Sequence, residues 1–146
     1  MRREAVVDCS VSVAWFLPDE RSELSAQLLR VVMRREVQVV VPELWHYEML
    51  DALRTAVLRG RISEDQALGA VDGLRRARVE TVSTDNQGLA VVLRTAMQLD
   101  LSVYDAAYVS LAESRGTDLV SADRGILRLR PRVPRIRSLP DFCGEL

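Results

Sequence analysis

A parallel α/β fold is predicted by three features of this 146-residue sequence. Short β-branched runs recur along the chain, longer stretches with helical apolar spacing separate them, and acidic residues follow strand ends. The first run is Ala5–Val7, closed by Asp8. Ser22–Arg35 carries a helical period and leads into the second run, Val37–Val41. Pro42 reads as the first helical position after the strand, where its missing N–H costs nothing, with helical spacing over about Glu43–Arg59 and Gly60 closing that helix. Ser63 and Gln66 form a capping box for Ser63–Arg76. A third run, Val79–Val82, precedes a helix over Gln87–Leu99. The last long helix, Tyr104–Ser114, is ended by Gly116 before the fourth run, Asp118–Val120. A weaker fifth run lies near Val133–Ile136. Strands alternating with helices imply a parallel sheet with helices on both faces. No repeat, low-complexity tract or linker breaks the pattern, so residues 1–146 read as a single domain with room for a real core.

Composition narrows the function. Nearly half the residues are apolar and the charges are well mixed, as in an ordinary soluble globular protein. No apolar run approaches a membrane span and nothing at the N-terminus resembles a signal peptide. Two cysteines, Cys9 and Cys143, suggest no disulfide framework, which points to the cytoplasm. Cys9 has no evident His partner, so a buried position at a strand end suits it better than a nucleophile's role. Net charge is −1, so bulk electrostatics does not advertise nucleic acid. All twenty basic residues are Arg. Without Lys, a Walker phosphate loop and a pyridoxal Schiff base are excluded. Haloacid-type phosphatases and response-regulator receivers, which also place Asp after the first strand, lose their Lys as well.

Four acids carry the chemistry: Asp8, Glu48, Asp105 and Asp123. In parallel sheets ligands bind beyond the carboxyl ends of strands, where strand order reverses. Asp8 and Asp123 both follow strand ends. If those strands are neighbours at the reversal, the two acids face one crevice. Each acid also has a structural alternative. Asp8 can cap a short helix near Ser10, Asp105 can complete a capping box with Ser102, Asp123 can cap the turn Arg124–Leu129, and Glu48 can be a solvated helix residue. Their surroundings favour a shared site. Leu44, Trp45 and Ala52 lie one turn from Glu48, and Ala106 and Ala107 follow Asp105. Ser10 and Ser121 lie within two residues of Asp8 and Asp123, where their hydroxyls can orient carboxylates. Four acids in one place repel one another, and a hard divalent cation such as Mg²⁺ relieves that repulsion and activates water against a phosphodiester.

The segments Val6-Val7-Asp8-Cys9-Ser10, Pro42 to Glu48, Leu101 to Tyr108 and Leu119 to Arg124 occur in this order. Together they resemble the PIN-domain nucleases, and within them the VapC-type toxins of bacterial toxin–antitoxin pairs, from near the N-terminus to about Pro140. The resemblance implies a five-stranded parallel sheet and an Mg²⁺- or Mn²⁺-dependent endoribonuclease with Asp8, Glu48, Asp105 and Asp123 as its acidic quartet. It further implies a VapB-like antitoxin and a homodimer. The family often has Asn three residues after the helical Glu, where this chain has Asp51 on the same helix face as Glu48. Ser121 replaces a frequent Thr and keeps the hydroxyl.

Other residues have two readings. His46, the only histidine, points to a different helix face from Glu48 and reads as a packing or surface residue. Five arginines between Arg128 and Arg137, with Arg124 and the group Arg75, Arg76 and Arg78, are candidates for gripping RNA; Arg124, Arg128 and Arg130 lie nearest Asp123. Alternatively, Arg128–Arg137 charges an exposed edge strand against sheet-to-sheet pairing. Trp15 and Phe16 belong to an apolar cluster that reads as core, or as antitoxin-binding surface if exposed. Competing functions are a PIN nuclease of RNA maturation without an antitoxin, a non-cleaving PIN binding module, and a metal-dependent phosphatase. Ser10 stands where the phosphatase would need a second Asp.

Overall fold

A computed structural model describes residues 2–146. Five strands alternate with the helices: β1 (Arg3–Val7), α1 (Cys9–Ser12), α2 (Glu23–Met33), β2 (Val37–Pro42), α3 (Leu44–Leu58), α4 (Glu64–Arg76) and β3 (Glu80–Val82) come first. Then follow α5 (Asn86–Leu99), α6 (Val103–Arg115), β4 (Asp118–Ser121), α7 (Arg124–Leu127), β5 (Ile136–Ser138) and α8 (Leu139–Cys143). All strand pairs are parallel, in the order β3-β2-β1-β4-β5.

The central strand is β1, with Val6 level with Val40 of β2 and Leu119 of β4. Consecutive residues Ala5, Val6 and Val7 are fully buried, as are Val39, Val40 and Val41. Successive strand residues point to opposite faces, so such unbroken burial requires helices on both sides. The chain builds leftward from β1 to β3, then returns to lay β4 on the other flank of β1. Strand order therefore reverses between β1 and β4, as the sequence required for a shared crevice. Helix α6 runs back across the sheet: its last residue, Arg115, pairs with Glu4 and Glu80 at the amino ends of β1 and β3. Its first turn, holding Asp105, therefore lies at the carboxyl ends.

The amino ends are laced by charge. Arg115 reaches Glu4 at 2.8 Å and Glu80 at 3.2 Å, Arg3 reaches Asp118 at 3.2 Å, and Arg137 reaches Glu145 at 2.6 Å. These groups are partly solvated, so each pair contributes only modestly.

Three features differ from the sequence reading. Pro42, expected at the first helical position, instead closes β2 opposite Val82, and Glu43 takes the N-cap position of α3. The fifth strand begins at Ile136, three residues later than expected, because the Val133 N–H is occupied by the Leu129 carbonyl in a turn. Helix α8 was not anticipated; Ser138 caps it by accepting from the Asp141 N–H, and Pro140 stands in its first turn. Among the described residues no helix is long and apolar enough to cross a membrane.

Candidate active site

Asp8 emerges where β1 ends, 4% exposed, its own N–H donating to the Val120 carbonyl of β4. Although it occupies the N-cap position of α1, its side chain does not cap. Instead Oδ1 accepts from the Ser10 hydroxyl and Oδ2 from the Ser121 hydroxyl, both at 2.5 Å. Each serine is tied down in turn: Ser10 Oγ accepts from the Ala122 N–H and Ser121 Oγ from the Asp123 N–H. The carboxylate thus has one orientation. Burial pushes its pKa up to about 6, with the Asp123 charge adding to the rise and the serine hydrogen bonds opposing it. The Asp8 carbonyl accepts from Ser12 Oγ, itself held by the Trp45 indole N–H, which locks the strand end onto α3.

Glu48, on the first half of α3, is half-buried, and Oε1 accepts a 2.5 Å hydrogen bond from the Tyr108 hydroxyl. Tyr108 lies one turn after Asp105 on α6 and is 1% exposed. Burial and the neighbouring Glu48 raise the phenol's pKa, so it stays protonated and donates. Burial also raises the pKa of Glu48, and Asp105 adds to it. Asp105 is raised by burial and then by the charge of Asp123. Its backbone N–H donates to the Ser102 hydroxyl, whose hydrogen bond to the side chain opposes the rise, and no reciprocal capping box forms. Asp123 does cap α7, through Oδ2 to the Ile126 N–H.

The quartet is therefore one electrostatic unit, with Asp8 coupled to Asp123, Asp123 to Asp105, and Asp105 to Glu48. None of the ion pairs among the described residues involves any of the four. Asp8, Glu48 and Asp105 are desolvated, Asp123 is exposed, and none has an Arg partner, so together they form a hard oxygen donor set. Among the described residues no group of three or more acidic, His or Cys side chains is placed to hold a metal ion by itself. Mg²⁺ keeps several waters and takes only one or two carboxylates directly, so this open cluster fits it.

The remaining sequence candidates separate. Asp51 is exposed beside Glu48 in one groove and makes no hydrogen bond among the described residues. His46 donates to or accepts from Thr81 at 2.8 Å and packs edge-on against Trp45, a structural role. Trp15 is 5% exposed and belongs to the core, with Phe16 half-buried beside it. The exposure that would have marked an antitoxin surface at Trp15 is absent. Arg128 donates to the Asp100 carbonyl and Arg130 pairs with Asp141, whereas Arg124 is exposed with no partner among the described residues. Cys9 donates its thiol to Met49, and burial pushes its pKa up to about 12, which removes it as a nucleophile. Sequence reasoning missed Tyr108 and Ser12. The signal for Tyr108 was its i+3 spacing from Asp105, which places both on one helix face.

The family model described as PIN domain matches residues 5–130. The chain belongs to the PIN domain family. It is 32% identical over 129 residues to ribonuclease VapC3 of Pyrobaculum aerophilum, covering 88% of this chain and 95% of that protein. Among solved structures it resembles PAE2754 from Pyrobaculum aerophilum, with a TM-score of 0.70 and 23% identity over 99% of this chain and 97% of that one. It also resembles VapBC2 from Rickettsia felis, solved bound to a DNA fragment from its promoter, with a TM-score of 0.65, 10% identity and coverage of 92% and 98%. VapBC-1 from nontypeable Haemophilus influenzae gives a TM-score of 0.60 at 14% identity, covering 92% and 96%. These structural likenesses establish the five-stranded PIN fold.

Proposed function

We propose that this PIN protein is a VapC-type endoribonuclease that depends on Mg²⁺, or on Mn²⁺, and hydrolyses RNA phosphodiesters. One observation carries the reading: three desolvated carboxylates, Asp8, Glu48 and Asp105, and the exposed Asp123, none of them paired with Arg, lie together where strand order reverses. Its ribonuclease relative at 32% identity supports the reaction class. Asp8, held by two serine hydroxyls, and Glu48, held by Tyr108, are the residues that would hold the cation, with Asp105 beside them and Asp123 offering its remaining oxygen. A divalent cation at such a site supplies Lewis acidity to a phosphate oxygen and lowers the pKa of water. Ser10 and Ser121 fix the angle at which Asp8 presents its oxygens, and burial of Asp8 excludes bulk water from one side. Arg124 stands free beside Asp123 to take a phosphate of the RNA.

A VapB-like antitoxin as neutralising partner, a homodimer and a cytoplasmic location belong to the same proposal. The VapBC complexes among the solved neighbours agree with the first of these. The test is brief induction in a bacterial host with transcriptome-wide mapping of new RNA 5′ ends, using Asp8→Asn as control. Discrete new ends with growth arrest, absent from the variant, are expected. Folded protein that yields no new ends overturns the ribonuclease reading in favour of a non-cleaving PIN module.

A further inference from the structure

All three tyrosines of the chain converge on this one site. Tyr108 is buried and holds Glu48. The other two, Tyr47 and Tyr104, each precede an acid of the quartet and are 76% and 66% exposed. Among the described residues they are the only exposed aromatic side chains; Trp15, Trp45 and Phe142 are all buried. Both line a single groove of about 370 Å³ with Cys9, Leu44, Glu48 and Asp51. A groove whose charged members are both acidic repels phosphate, so it does not grip the RNA backbone. Its aromatic walls offer π-faces to a planar, uncharged group, and every nucleobase has one.

We propose that Tyr47 and Tyr104 form a stacking platform for one unpaired nucleobase of the RNA, flanking the phosphate at the quartet. This rests on the ribonuclease reading and sharpens it. Bases within an A-form duplex are already stacked on each other, so the platform selects single-stranded segments or loops.

The test measures fluorescence anisotropy of a labelled, sequence-randomised single-stranded RNA in the Asp8→Asn background, where no cleavage interferes. Two double variants are compared with it: Tyr47→Leu with Tyr104→Leu, which removes the rings, and Tyr47→Phe with Tyr104→Phe, which removes only the hydroxyls. The Leu pair is expected to bind at least about fivefold more weakly, the lower end for loss of one base-stacking contact, while the Phe pair stays within about twofold. Unchanged binding by the Leu pair overturns the platform, and so does an equal loss in the Phe pair. Failure of the protein with both tyrosines intact to bind the RNA also overturns it. Mapping of RNA ends with the unmutated chain separates the two claims: new ends alongside any of those results leave the ribonuclease reading standing and remove only the stacking.

Discussion

Asp8→Asn is expected to abolish cleavage while making the metal-free fold more stable. Asp8 is 4% exposed, and its carboxyl lies at about 6 against an ordinary 3.8, burial being the main cause. A raised carboxyl pKa means that the folded state binds this proton more tightly than the unfolded chain does. Stability is therefore greatest below the unfolded pKa and falls as pH rises from about 4 to about 6, remaining low above that. The difference corresponds to about 3 kcal/mol of destabilisation by the ionised group at neutral pH. Asn keeps the shape, accepts from one serine through its oxygen and donates to the other through its amide, and carries no charge. Urea unfolding in a chelator should show the variant more stable by up to about 3 kcal/mol near pH 7.5, with the gain fading toward pH 4. Added Mg²⁺ should narrow the gap by stabilising the unmutated chain selectively. A variant less stable than its parent at neutral pH, or a gain that ignores pH, refutes the account of a strained, uncompensated carboxylate.

Tyr108→Phe removes the hydroxyl that orients Glu48 without changing the ring's packing. It should raise the half-saturating Mg²⁺ concentration about 10-fold or more, read by titration calorimetry as well as by rate, and an unchanged metal affinity would contradict the positioning role. Cys9→Ala should leave the cleavage rate intact, because a thiol pushed up to about 12 supplies no thiolate at neutral pH. A rate loss comparable to that of Asp8→Asn would reinstate Cys9 in the chemistry.

Much of this was legible because burial on both faces leaves a plain mark. The runs Ala5–Val7, Val37–Val41 and Asp118–Val120 are β-branched and unalternating, and they became the three inner strands. The edge strands were harder. β3 has only three residues, two of them exposed, so it carries little apolar signal. Near β5 the apolar residue Val133 packs as core from a turn, a role that periodicity cannot distinguish from strand. The acids were readable from their positions after strand ends and in the early turns of helices. Asp123 was readable in both its senses, since it caps α7 and joins the cluster. The support around them was not. The bond from Tyr108 to Glu48 joins residues sixty apart, on helices whose packing no local pattern encodes. Trp15 showed the converse limit: an apolar cluster looks the same in sequence whether the sheet covers it or leaves it bare.

The arginine–carboxylate lacing at the amino ends of the strands gives the molecule two electrically independent rims. Five residues of β1 separate the rims, about 16 Å, and no charge at the amino ends is among the causes that shift Asp8, Glu48 or Asp105. Swapping Arg115 and Glu4, or redrawing the whole lattice, would alter melting temperature and salt sensitivity without changing the field felt by Asp8 and Glu48. A lineage can thus retune its tolerance of heat or brine at one rim while its chemistry is inherited intact at the other.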